Sequence, residues 1–193
     1  MTAEDLEGQL VALLRQNEPL MRVLRLCSDL NLPDWMIFSG AVYQTVFNHR
    51  SGLPLTTGLK DYDLAYYDAS DLSYEAEDVV IRRVRADLPE DLKDLVEVRN
   101  QARVHLWFEG HFGEPYAPLP DTPTALSRFL APCFAVGVRM DAGDQLTVLA
   151  PFGLADVFNM IVRPNPLRGD SRNFERVAAG VQARWPQVTV RHA

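Results

Sequence analysis

Leu6, Leu10, Leu13 and Leu14 recur at the spacing of one helix face, and Leu20, Val23, Leu24, Cys27 and Leu30 repeat it after Pro19. Two amphipathic helices are expected there, ended by Pro33 and Asp34. Trp35 to Phe38 is an apolar run of strand length. It enters Ser39-Gly40-Ala41, after which Val42 to Phe47 returns to a helical pattern. The stretch from His49 to Lys60 holds Gly52, Pro54 and Gly58 and reads as a loop. Asp61 to Asp68, DYDLAYYD, then alternates as a strand does.

Further on, Ser73 is placed to cap a helix through Arg85, with Glu75 and Glu77 favourable in its first turn. Leu95 to Arg99 predicts a strand. Asn100 to Phe108 either continues it or forms a short helix capped by Asn100, and the helix is preferred. Pro115 to Pro123 predicts a loop and Thr124 to Leu130 a short helix. Ala135 to Met140 and Gln145 to Leu149 predict a hairpin turning between Asp141 and Asp144. Gly153 to Val162 is expected as an apolar helix stopped by Pro164 and Pro166. Phe174, Val177, Ala178, Val181 and Trp185 mark a last amphipathic helix. Strands mixed with helices make the fold class α/β (α+β), a mixed central sheet with flanking helices. One domain is expected over 1–193: a helical flank at 1–32, a core at 33–165 and a C-terminal helix at 166–193.

Composition adds limits rather than detail. With 47% hydrophobic residues the chain can build a core, so a disordered chain is excluded. No apolar run reaches the roughly 18–20 residues that span a bilayer. MTAEDLEGQL is acidic where a signal peptide is basic. Cys27 and Cys133, both in apolar contexts, read as small core residues of a reduced, cytoplasmic protein. His49, His105, His111 and His192 have no metal-ligand spacing, and no P-loop or serine-nucleophile motif is present. The net charge of −7 speaks against a surface built to neutralise a long nucleic acid.

Asp61 and Asp63 carry the first chemical signal. On a strand they share one face, with Cα atoms about 6.5–7 Å apart, so their carboxylates can converge on a divalent cation. Alone, such a pair also fits a solvated strand edge. Glu97 stands between Val96 and Val98 in a second apolar-acid-apolar strand, and upstream Gly40 opens a helix whose N-terminus suits a phosphate. Arg103 is a candidate for a triphosphate or acceptor, with a structural ion pair as the alternative. His105 lies within one turn of Gln101 if the segment is helical.

The order strand, glycine turn, helix, D-x-D strand and later acidic strand resembles the nucleotidyltransferase superfamily of DNA polymerase β. Its compact relatives include the head domain of CCA-adding enzymes and the antibiotic nucleotidyltransferases. FSGAVYQTVFNH, GLKDYDLAYYD, DLSYEAED, VRNQARVHLWF, AVGVR and LAPFGLADVF, spanning residues 38 to 158, are similar to a small bacterial nucleotidyltransferase-like family within it. The resemblance implies an NTP substrate and two Mg²⁺ ions, with Mn²⁺ as the alternative. It implies Asp61, Asp63 and Glu97 as catalytic metal ligands, and Ser39, Gly40, Lys60 and Arg103 at the nucleotide phosphates. Two features depart from the superfamily pattern. Gly40 is followed by Ala41 where Ser or Gly is usual, and the Gly40 to Asp61 interval is long.

The expected activity is Mg²⁺-dependent transfer of a nucleoside monophosphate from an NTP to an acceptor. The acidic balance favours a small molecule over nucleic acid as acceptor, with no membrane partner. The competing readings are a catalytically inactive nucleotide-binding or partner-binding module, and a toxin-type transferase acting on tRNA or protein.

Overall fold

Side-chain alternation along three short strands sets the frame of the protein. The computed structural model describes residues 2–168 and 173–192. β1 (Met36–Phe38), β2 (Tyr62–Tyr66), β3 (Val96–Asn100), β4 (Gly137–Met140) and β5 (Leu146–Leu149) form one sheet in the order β3-β2-β1-β4-β5. β2 and β3 run parallel and every other neighbour is antiparallel, giving the mixed sheet of an α+β domain.

Ile37, Leu64, Val98 and Val138 point to one face and are fully or nearly fully buried. Against that face pack α1 (Ala3–Leu14), α2 (Glu18–Leu30), α3 (Gly40–Arg50) and α4 (Tyr74–Asp87), whose apolar residues join the same core. Both expected N-terminal helices form. The side chain of Thr2 caps α1 and that of Asn17 caps α2, while Asn31 ends α2 in the left-handed conformation. Ser73 caps α4 as its sequence position predicts. Burying each large aliphatic on this face contributes roughly 1.5–3 kcal/mol, which makes the helical face the main source of stability.

Met36, Phe38 and Ala65, the alternate residues, point to the opposite face. There they meet Leu119, Ala125 and Leu126 in a smaller cluster. Gly137 makes that layer possible: a Cβ would stand 2.7 Å from the Met36 sulfur and 3.2 Å from Leu126. Along this face the register aligns Phe38, Asp63 and Glu97 in one row across three strands. The two acids therefore stand on the thinner, more open side of the sheet.

Asn100 caps a 3-10 helix at Gln101–Leu106, accepting from the Ala102 N–H at 3.1 Å, so the helical choice for this segment holds in tighter form. α5 (Phe108–Phe112) follows, then α6 (Thr122–Leu126). The latter starts two residues before its expected position because Asp121 caps it and Pro123 fits its first turn. The expected hairpin is β4–β5.

The apolar stretch Gly153–Val162 is not one helix. α7 spans only Ala155–Phe158, Met160 takes φ 52°, and Ile161–Val162 forms β6. β6 pairs in parallel with β7 (Thr189–Val190), which follows α8 (Phe174–Arg184). A continuous apolar run cannot distinguish a buried helix from a strand that finds its partner far along the chain. Residues 169–172, within the C-terminal segment expected from 166, lie outside the described residues.

Candidate active site

The carboxylates are presented by strand geometry. Tyr62, Leu64 and Tyr66 turn into the helical core, so Asp63 and Ala65 must face the other way, and Asp61 precedes them on the same side. Asp63 sits directly opposite Glu97 in the parallel ladder. Burial pushes the Asp63 carboxyl up to about 6, and the charges of Asp61 and Glu97 add to that rise while Arg99 opposes it. Three acids thus act on one another at this edge of the sheet.

Their side chains are not equally committed. Asp63 and Glu97 line a cavity of about 410 Å³; Asp61 does not, although its charge reaches Asp63. The half-exposed Glu97 leans towards Arg99, with 3.4 Å between carboxylate and guanidinium. Among the described residues, no three acidic, histidine or cysteine side chains close around a common cation position. The donor set is nonetheless chemically suited to a hard divalent cation, since it offers only carboxylate oxygens. Two negative neighbours already penalise the ionised Asp63, a penalty that a cation between them would relieve.

The loop before Asp61 is fixed from below. Fully buried Asn48 donates from its amide to the carbonyls of Leu55 and Thr57, both at 3.0 Å. Its own oxygen accepts from the Trp185 indole at 2.9 Å. Arg184 lies 4.1 Å from the Trp185 ring and donates to the Thr57 carbonyl. Tyr43 is linked to the site electrostatically: burial raises its phenol, and the Asp61 charge adds to that rise. None of these residues announces itself in the sequence, because Asn48 and Arg184 act through loop carbonyls and a distant helix and Tyr43 through burial.

The glycine turn departs from expectation. Gly40 begins α3 without a positive φ; the unusual backbone is at Ser39, with φ 48° and ψ −96°. The Ser39 N–H donates to the Val136 carbonyl at 2.7 Å, and its own carbonyl accepts from the Val42 and Tyr43 N–H groups. Its hydroxyl makes no capping bond to the first turn of α3, which leaves the Gly40 and Ala41 N–H groups for an anion. A Cβ at position 40 would meet only the Gln44 amide, at 3.1 Å. Ser39→Gly is expected to raise the melting stability by about 1 kcal/mol, since relief of strain outweighs the added chain entropy. Ser39→Val should lower it. Thermal denaturation of the two variants checks the sign, and a loss in Ser39→Gly would mean the strain is absent.

Lys60 is exposed and does not line the cavity. Arg103 lies elsewhere. It is 8% exposed, ion-paired with the buried Glu77, and donates to the Leu72 carbonyl at 2.8 Å. Its guanidinium also lies over the Tyr74 ring. Glu77 in turn accepts from the Asn100 N–H at 2.7 Å, so Arg103 ties α4 to β3 instead of facing the carboxylates. The cause is local: the 3-10 winding after Asn100 turns Arg103 away from the face that Glu97 and Arg99 share. His105 remains a partly buried side chain whose Nδ1 has no partner among the described residues.

The cavity brings in residues with no recognisable sequence signal. Arg99 and Gln101 continue its wall from β3, Trp107, Phe108 and Phe112 come from α5 and the turn before it, and Tyr116 from the following loop. No helix among the described residues is long and apolar enough to cross a membrane.

An NMR structure described as revealing a CCA-adding enzyme head domain is similar at a TM-score of 0.77. The match covers 96% of this chain and 96% of that one, at 24% identity, and speaks for the fold. No curated protein matches the sequence. A family model described as nucleotidyltransferase matches residues 25–190, from the middle of α2 to the last strand and across every carboxylate discussed above. The chain therefore belongs to that nucleotidyltransferase family.

Proposed function

We propose that the protein transfers a nucleoside monophosphate from an NTP to an acceptor, using Mg²⁺ held by Asp61, Asp63 and Glu97. The observation that carries this reading is the ladder pairing of Asp63 with Glu97, two residues beyond Asp61 and at the mouth of a cavity. Membership of the nucleotidyltransferase family supports the reaction class.

In this reading the acceptor hydroxyl oxygen bonds to the α-phosphorus. The bond to the bridging oxygen breaks, and pyrophosphate leaves with that oxygen. The hydroxyl proton passes to Glu97, which borders solvent, and from there to water. Bound Mg²⁺ supplies charge neutralisation at the phosphates and acidifies the attacking hydroxyl. The chain's own part is to hold three acids at fixed strand positions and to offer the uncapped N-terminus of α3 to phosphate oxygens. Such catalysis is mostly positioning and electrostatics, so a small set of side chains suffices. Glu97 takes part after turning from Arg99, a side-chain rotation at a half-exposed site.

The test is pyrophosphate release from each of the four NTPs with Mg²⁺ and a pooled panel of small-molecule, RNA and protein acceptors. Release that vanishes in Asp61→Asn and Asp63→Asn supports the transferase. Nucleotide binding without release across the whole panel would replace it with a binding module, the reading that the altered Ser39-Gly40-Ala41 turn favours.

A further inference from the structure

The cavity beside the carboxylates has more chemistry than the transfer step requires. Its lining includes Asp63 and Glu97 from the sheet, and Arg128 and Arg176 from the turn after α6 and from α8. An aromatic wall also lines it, in which the Phe108 ring lies 4.4 Å from Tyr116 and 4.6 Å from Phe112. Arg168, also in the lining, is already paired with Glu114 and donates to the Arg128 carbonyl at 3.0 Å. Arg128 has no side-chain hydrogen bond or ion pair among the described residues. Arg176 has one long hydrogen bond, 3.4 Å, to Asn173. Both Arg128 and Arg168 act electrostatically on the Tyr116 phenol, so positive charge gathers where the aromatic wall ends.

The cavity takes in only part of the residues expected at the nucleotide. Asp63 and Glu97 line it, whereas Ser39, Gly40, Lys60 and Asp61 do not. The uncapped N-terminus of α3 lies outside it. A molecule filling the cavity would meet Asp63 and Glu97 with Phe38 beside them, and leave the turn before α3, which does not line it, free for a triphosphate.

We propose that this cavity is the acceptor site, and that the acceptor is a small aromatic molecule bearing a hydroxyl and, at its opposite end, a carboxylate or phosphate. The ring lies along Phe108 and Tyr116, the anion meets Arg128 and Arg176, and the hydroxyl faces Glu97. The volume of about 410 Å³ is that of a small-molecule site rather than a polymer groove. Guanidinium groups at the end of an aromatic wall suit a planar anion, through charge-assisted hydrogen bonds and ring contacts. Transfer would join the acceptor oxygen to the α-phosphorus, send its proton to Glu97 and release pyrophosphate. The role of acceptor rests on the transferase reading above; the binding does not.

Calorimetry on the full chain, without metal or NTP, tests the binding directly. The probes are adenosine 5′-monophosphate and 4-hydroxyphenylacetate, with adenosine and 4-hydroxybenzyl alcohol as their uncharged counterparts. At least one anion should bind about tenfold tighter than its uncharged counterpart, and Arg128→Gln should remove that difference. Whichever anion binds tells phosphate from carboxylate. Arg176→Gln, at a second position of the same end, should act in the same direction, and both variants should keep the wild-type melting temperature. Equal binding of charged and uncharged probes, or no saturable binding of either anion at millimolar concentration, overturns the proposal. So does an Arg128→Gln variant in which affinity for a nonhydrolysable NTP with Mg²⁺ falls as much as affinity for the anion, because the cavity would then belong to the nucleotide. Anion binding that depends on Arg128, without any pyrophosphate release, would leave the site standing and remove only the transferase.

Discussion

Asp63→Asn is expected to stabilise the cation-free protein by about 2–3 kcal/mol near pH 8 while abolishing the proposed transfer. The Asp63 carboxyl is raised from an ordinary 3.8 to about 6, first by burial and then by the charges of Asp61 and Glu97. Its ionised form therefore costs the folded state free energy. The sign follows from comparing the folded and unfolded chains. Below about pH 4 both are protonated at this site and there is no cost; above about pH 6 both are ionised and the cost is complete. The advantage of asparagine should shrink as pH falls through that window and vanish beneath it. Urea denaturation of both proteins at several pH values, in buffer free of divalent cations, measures it. A destabilised Asp63→Asn at pH 8 would mean that the carboxylate is well solvated or already satisfied. The trade of stability for function is common where a site gathers like charges, and a bound cation would reverse it.

The second large effect concerns Arg103. Replacing it with methionine is expected to cost about 3–5 kcal/mol, because Glu77 would be left buried and unpaired. Glu77 is only 4% exposed, and its second oxygen holds the Asn100 N–H, so it has no route to water without opening the joint between α4 and β3. Replacing both partners, with Arg103→Met and Glu77→Gln, should recover much of the loss, because glutamine is uncharged and keeps an oxygen for the Asn100 N–H. The folded fraction of each variant should bind a nonhydrolysable NTP as the wild type does. Denaturant titration gives the stability and calorimetry gives the affinity. A stable Arg103→Met protein with weakened NTP binding would return Arg103 to the phosphates.

These two residues illustrate what the sequence could and could not carry. Alternation is a local property, and DYDLAYYD allowed only one arrangement: Leu64 and Tyr66 inward, Asp63 outward. Alternation likewise turned Glu97 away from Val96 and Val98 on its own strand, but the pairing that sets it opposite Asp63 depends on strand order. Ser73 and Asn100 were legible as caps because capping needs only three or four consecutive residues. Arg103 was ambiguous because its direction depends on whether the chain after Asn100 winds at three residues per turn or runs on as a strand. Ile161 and Val162 looked helical because their strand partner, Thr189–Val190, lies beyond a further helix. The cavity was illegible for a related reason. Its aromatic wall comes from α5 and the loop after it, Arg128 from the turn after α6, and Arg176 from α8. No spacing rule relates them; only the folded sheet brings them to one place. The resemblance to nucleotidyltransferases supplied what alternation could not, an order of motifs in which isolated acids acquire roles.

The central claim is that Asp61 and Asp63 bind nucleotide through a divalent cation. Its most direct measurement is calorimetric titration of nonhydrolysable analogues of the four NTPs, with and without Mg²⁺, into the wild type, Asp61→Asn and Asp63→Asn. At least one analogue is expected to bind only with Mg²⁺, and each substitution to weaken it by about tenfold or more while both variants stay folded. Binding that ignores Mg²⁺, that is unchanged in both variants, or that fails for all four analogues would contradict it.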